Sequence, residues 1–450
     1  MTAILKKLAP QSDKQAFWLS LFLCLFICSL ILFVISPITG LSKNFGAGND
    51  GYIQLARSLA AGDGYVFEKN GPPVFHRPPL YSLFLVPVAL FPENLQRYVI
   101  IIPQSILVGF IGMMIFRIAK QLYNQTVATA AVLLFLINPW VYWNAKNPMT
   151  AILQTLLYLI FVYLIVSEFF EIVGLSGLIK KTTLWLRGLT IGIFGAGLAL
   201  THAAMLPVVF IFIFILFITA IFRNRRHLLP ALIAVIVAVC LIAPWTYRNW
   251  VVFDRFIPVA GGSGLGYFNG LVQWNIATND MQRNGESYIN ASLRVAEIDG
   301  NEAVDVHWKG FKDIQIEDKM NRKMVEHLRK NPGLFLKKVL LNIVGFYFPI
   351  LPYHYLAYKN FSIENIALTI FYMTLWSFAL VGIWSGRKEK EFILSAVLVL
   401  IAIVFYAMWY ILFTIFIGHS LYTLGTIPFL CILSAAGIIS FIEGKQVCDE

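Results

Sequence analysis

Charge is scarce in this chain. Only 13% of its 450 residues are Asp, Glu, Lys or Arg, about half the share found in an ordinary soluble domain. With 58% of the residues hydrophobic, the shortage excludes water as the main solvent. Cysteine is sparse too: Cys24, Cys28, Cys240 and Cys431 fall in apolar runs and Cys448 in the terminal tail, so neither a disulfide framework nor zinc-ligand spacing follows. Heptad arrays, low-complexity blocks and internal duplication are also missing. The last of these weighs against the inverted repeats of many secondary transporters. No run alternates polar and apolar residues as an outer-membrane strand does.

What is present are apolar runs of about 18 or more residues, each long enough to cross a hydrocarbon core of roughly 30 Å as a helix. The predicted fold is all-α, a polytopic transmembrane helical bundle, because a helix closes its own backbone hydrogen bonds in lipid. Spans are expected near residues 16–36, 98–119, 126–141, 149–166, 184–203, 205–222, 228–247, 365–385, 392–416 and 421–442. Two shorter stretches, 79–91 and 339–353, are broken by Pro87 and Pro92 and by Pro349 and Pro352. Either can enter the membrane without crossing it.

The net charge of +11 does not gather on one polar face, as nucleic-acid binding would require. It sits at span ends, in Lys6, Lys7 and Lys14, in Arg117 and Lys120, in Arg223, Arg225 and Arg226, and in Arg387, Lys388 and Lys390. By the positive-inside rule those ends are cytoplasmic. Both termini are then inside, and a bacterial inner membrane suits the arrangement. The first run is long and lacks a small-residue cleavage site, so it reads as a retained anchor. Three regions are expected: residues 1–247, with a first external loop at about 37–78; a second external loop at 248–338; and C-terminal helices at 339–450. Both loops are expected to carry short amphipathic helices.

The first loop concentrates the unusual residues. Tyr52, Leu55, Ala56, Leu59 and Ala60 recur at helical spacing, with Asp50 in the N-cap position and Gly62 as the stop. Asp50 has two readings that are compatible: a cap, or a general base that takes a proton from an acceptor hydroxyl, kept ionised by the helix N-terminus. The loop ends in His76-Arg77-Pro78-Pro79-Leu80-Tyr81, and a later span closes on Ala243-Pro244-Trp245-Thr246-Tyr247-Arg248-Asn249. Gly261-Gly262-Ser263-Gly264 lacks the strand and helix context of a phosphate loop and reads as flexible backbone. The charged stretch from Ile314 to Lys330 reads as a helix.

Together these features resemble the GT-C superfamily of membrane glycosyltransferases, particularly the protein mannosyltransferase and aminoarabinose transferase branch. The likeness rests on Asp50 soon after the first span, on the pattern from Tyr52 to Gly64, on Arg77-Pro78-Pro79-Leu80-Tyr81, and on the Pro-Trp and Arg-Asn pairs around Trp245 and Arg248. The chain departs from the pattern at Gly51, where many relatives carry a second acid, and at Leu421-Tyr422, where Arg-Tyr is common. The resemblance implies transfer of a sugar, with inversion, from a polyprenyl-phosphate carrier to a lipid, glycan or protein acceptor. It implies no nucleotide cofactor and no nucleic-acid partner; a divalent cation stays open, and no metal ligands are assigned.

The resemblance makes Asp50 the base and sets Arg77 on the departing phosphate, where a guanidinium makes paired charge-assisted hydrogen bonds. His76 and Arg248 are candidate further phosphate contacts. Tyr52 and Tyr81, with Tyr65 and Trp245, are candidate stacking partners for sugar or prenyl groups. Each also has a structural reading as an interfacial anchor. His202 and His419 lie near the outer ends of spans, where polar groups are costly and suggest a cavity. Three other readings stay in view: a transporter or lipid flippase; a lipid-carrier glycan polymerase or ligase centred on Arg248 and His307; and a non-catalytic subunit of a larger assembly, with the second loop as its partner surface.

Overall fold

The computed structural model describes residues 10–35, 51–174, 183–273, 292, 293, 295–297, 314–347, 363–385, scattered positions from 397 to 407, and 424–443. Among these residues the chain is helical, with one isolated bridge between Val66 and Pro73. The all-α bundle expected from composition is what forms.

Helix α1 (Asp13–Leu30) starts where the Ser12 side chain accepts the Gln15 N–H, and runs on as a π-helical turn, Ile31–Ile35. The first loop contains α2 (Tyr52–Ala61), and α3 (Pro79–Ala89) follows it. Next come α4 (Glu93–Val99), α5 (Ile101–Leu122), α6 (Gln125–Leu136), α7 (Pro139–Lys146) and α8 (Ala151–Ile172). Helices α9 (Leu184–Thr201), α10 (Met205–Arg223) and α11 (Leu228–Phe253) complete the first half. The later polar region holds α12 (Ser263–Gln273) and α13 (Ile314–Lys330), and α14 (Pro332–Tyr347), α15 (Ile363–Ser385) and α16 (Ile427–Glu443) follow.

Among the described residues six helices are long and apolar enough to cross a membrane, or seven if the bent pair α6 and α7 is one span. The chain is thus a multi-pass membrane protein. Close helix packing rests on small residues, which let backbones approach in lipid. On α9, a methyl group added at Gly188 or Gly192 would sit 2.5 Å or 2.7 Å from atoms of α11.

Two expected spans take a different form. The stretch 126–141 is not one straight helix: α6 and α7 meet at 57°. The break follows from Asn138, whose side chain caps the Trp140 N–H, and from Pro139, which begins the new helix. Gln104 of α5 covers the far end of α7, its Nε2 donating to the carbonyls of Asn144 and Asn147 at 3.3 and 2.5 Å. The other difference is α11, which continues past the expected end at 247 and carries Arg248 and Asn249 within its last turns.

Candidate functional site

Helix α2 begins at Tyr52, and its cap is Gly51, held in the left-handed region at φ 83° without a side-chain hydrogen bond. The cap therefore falls one residue later than Asp50, where the sequence reading placed it. Gly51 suits the position because a side chain is strained at that φ, and an added methyl group would strike the Phe67 ring. Gly62 closes the helix at φ 78°, as expected. Asp50 itself lies outside the described residues, as do His307 and His419.

Between α2 and α3 the chain doubles back, and Val74 N–H donates to the Tyr65 carbonyl at 3.0 Å. The Tyr65 hydroxyl donates to the carbonyls of Pro78 and Arg77 at 2.8 and 3.2 Å, fixing the entry to α3. Burial pushes the Tyr65 phenol well above its ordinary pKa, so it stays a neutral donor. The half-buried Arg77 guanidinium lies 5.8 Å from the centre of the Tyr52 ring. Tyr52 stands edge-on to Tyr81 at 5.3 Å. Tyr81 has no exposed surface and stacks on Phe84, and Tyr52 is 4% exposed, so the pair is part of the packed core.

His76 contacts the rings of Phe67 and Phe75, with centroids at 5.7 and 5.6 Å. Both its ring nitrogens are buried, and neither has a hydrogen-bond partner among the described residues. Burial, and then the charge of Arg77, hold its pKa well below the ordinary histidine value. The ring is a neutral imidazole with one N–H to give and one lone pair to accept. The same two causes lower His202, at the C-cap of α9, to about 4.

The end of α11 clamps this loop. Arg248 Nη1 donates to the Val74 carbonyl and to Asn249 Oδ1, each at 2.9 Å. Its guanidinium faces Trp245, Phe253 and Tyr65, at 4.9, 5.1 and 5.7 Å from the ring centres. Three neighbours on the same helix grip the next segment: Trp245 Nε1 donates to Val259 O at 2.7 Å, the Thr246 hydroxyl to Pro258 O at 2.8 Å, and Asn249 Nδ2 to Ile257 O at 2.9 Å. Trp245, Thr246, Arg248 and Asn249 thus each have a mechanical task.

The structure brings together Tyr52, His76, Arg77 and Tyr81, with Arg248 joined through Tyr65 and Val74. Among the described residues no three metal-ligating side chains converge. One reading changes. Within 261–264 two glycines mark close approach instead of freedom: Gly261 N–H donates to Phe75 O at 3.0 Å, and a methyl group at Gly264 would sit 2.7 Å from the α13 backbone. Sequence reasoning also passed over Phe75 and Glu317, which join the two loops. Their signals were slight: an apolar residue in a polar loop, and an acid beside the apolar Ile316 and Met320 positions of α13.

No protein-family model matches the sequence, and no curated protein does. Solved structures do match. The chain is similar to the archaeal oligosaccharyltransferase AglB from Archaeoglobus fulgidus, in complex with an inhibitory peptide and a dolichol-phosphate, at 13% identity over 95% of this chain and 50% of that one, TM-score 0.54. The apo form of the Archaeoglobus fulgidus oligosaccharyltransferase aligns at 13% identity over 95% and 51%, TM-score 0.53. ArnT from Cupriavidus metallidurans bound to undecaprenyl phosphate aligns at 14% identity over 88% and 74%, TM-score 0.36. The chain spans about half the length of the oligosaccharyltransferase. The likeness to the oligosaccharyltransferase is one of fold.

Proposed function

We propose that the chain is an inverting glycosyltransferase that moves a sugar from a polyprenyl-phosphate carrier to an acceptor at the outer face of the membrane. It would sit in a bacterial inner membrane with both termini cytoplasmic. Asp50 takes the proton of the acceptor nucleophile as that nucleophile attacks the anomeric carbon from the face opposite the phosphate. The bond from the anomeric carbon to the phosphate oxygen breaks, and its electron pair leaves with the carrier. Arg77 meets the charge that develops on the departing phosphate. His76 donates its N–H to a phosphate oxygen, and Arg248 adds positive potential from behind Tyr65.

The observation that carries this reading is the placement of Arg77: half-buried, fixed through its own carbonyl by Tyr65, and flanked by a neutral imidazole whose ring nitrogens have no hydrogen-bond partner among the described residues. A phosphate is the ligand that uses a guanidinium and an N–H donor together. The fold likeness adds support, since the oligosaccharyltransferase it resembles was solved with a dolichol-phosphate.

A transporter is the second reading, favoured by the broken helix pair α6 and α7 and by the buried amides of Gln104, Asn138 and Asn144. The test is release of polyprenyl phosphate from a panel of radiolabelled polyprenyl-phosphate sugars, by wild type and Asp50→Asn in lipid with membrane extract as acceptor. Release by wild type and a drop of about a hundredfold or more in the mutant are expected. Equal activity removes Asp50 as base, and no release by either favours the transporter.

A further inference from the structure

Beside the Arg248 clamp, the two polar regions of the chain meet at Phe75, next to the candidate phosphate contacts. Phe75, 1% exposed, is a core member of the apolar cluster that α12 and α13 build, packed with Tyr267, Phe268, Ile316 and Met320. Its carbonyl accepts the Gly261 N–H at 3.0 Å. One residue on, the Gly262 N–H donates to Glu317 Oε1 at 2.8 Å, and Asn321 Nδ2 donates to the same oxygen at 3.1 Å. Asn321 Oδ1 in turn accepts the Ser263 hydroxyl at 3.0 Å. A single carboxylate oxygen on α13 thus gathers the backbone that touches Phe75, the residue before His76 and Arg77.

There is little slack in this joint. A methyl group at Gly261 would lie 2.9 Å from the Phe75 ring, and one at Gly264 would lie 2.7 Å from the backbone of α13. Glu317 is 4% exposed, and its second oxygen has no hydrogen-bond partner among the described residues. Burying a carboxylate without a cation is costly, and an apolar residue would pack there at lower cost. The acid is better explained by the N–H groups it orients, since charge-assisted hydrogen bonds are short and directional.

We infer that Glu317 is a positioning residue: by holding residues 261–263 against the first loop, it sets the backbone on which His76 and Arg77 stand. The later polar region thereby controls the donor-phosphate side of the site. The inference rests on the proposed donor role of Arg77, and the test separates the two.

Hydrogen exchange by mass spectrometry, on the full chain in lipid, reads the Gly261 and Gly262 amides without reference to activity. Glu317→Ala should speed their exchange about tenfold, the loss expected when a charge-assisted hydrogen bond is removed. Glu317→Gln keeps an acceptor oxygen and should restore most of the protection. In the transfer assay Glu317→Ala should lower kcat/KM for the donor about tenfold, leave KM for the acceptor unchanged, and be rescued by Glu317→Gln. Gly264→Val parts α12 from α13 without touching the carboxylate; it should give the same exchange pattern and carries the test where Glu317→Ala does not fold. Unchanged exchange in both variants overturns the inference, as does a rise confined to the acceptor KM. Faster exchange with unchanged donor kinetics retains the latch and removes Arg77 as its target.

Discussion

Two histidines flank one arginine, and their protonation is decided by that neighbour and by burial. His202 falls to about 4 from an ordinary value near 6.5, first through burial and then through Arg77. His76 is lowered for the same reasons. As pH drops below 6.5 the unfolded chain binds the proton and the folded chain does not, so stability present above that pH is lost on the way to about 4. Glu317 works the other way, because burial raises its carboxyl pKa and the folded chain takes up that proton first. The difference between wild type and His202→Gln isolates the histidine. Wild type should lose more stability on acidification, on the order of 3 kcal/mol across the window, read as Tm in detergent at stepped pH; parallel curves would show that His202 is not held neutral by the fold. His76, Arg77 and Arg248 were legible as residue types beside prolines and aromatics. Their partners were not: Arg248 bonds a carbonyl 174 positions away, and a backbone acceptor leaves no mark on local sequence.

Helix periods and lengths were legible for most elements, and α13 runs from Ile314 to Lys330 as read from its charge pattern. The misreadings share a cause, which is that a small or polar residue has two local meanings. Gly261 and Gly264 were taken for freedom, whereas they mark close approach to Phe75 and α13. Asn138-Pro139 carried the signature of a helix start but lay inside a run long enough to look continuous. Asn138 does two things there: its Oδ1 caps Trp140 N–H at 3.0 Å, and its Nδ2 donates to the Tyr372 hydroxyl of α15 at 3.2 Å. Asn138→Ala should lower stability by about 1 kcal/mol for the cap, with a further loss for the hydrogen bond it makes to the buried Tyr372. Tm in detergent checks it, and Asn138→Ser, which keeps a capping oxygen but is too short to bond Tyr372, should recover only the first part. Full recovery by Ser would mean that the hydrogen bond to Tyr372 contributes nothing.

At the scale of the molecule, the bundle is joined far from the candidate site by a buried ionic cluster. Glu168 of α8 is 2% exposed and accepts from His227 Nδ1 at 2.6 Å and from Arg187 Nη1 of α9 at 3.2 Å; the same arginine nitrogen reaches Glu171 at 2.5 Å. His227 sits in the turn between α10 and α11, so one carboxylate ties α8 and α9 to that turn, at the Arg223, Arg225 and Arg226 end of the bundle. Its worth differs from that of a surface pair such as Arg57 with Glu93, which water screens to within about 1 kcal/mol. Removing one partner of a buried cluster strands the others, and the loss is about 3–5 kcal/mol. Glu168→Ala should therefore lower Tm in detergent far more than Glu93→Ala. Glu168→Gln should fall between, since it keeps an oxygen for the histidine but not the charge for the arginine. Pairing Glu168→Ala with His227→Leu should give back part of the loss, because the buried imidazole that Glu168 held is then gone, while Arg187 keeps Glu171. Equal melting of Glu168→Ala and Glu93→Ala would mean that water or lipid headgroups reach the cluster, and that packing of small residues between α9 and α11 holds this end of the bundle alone.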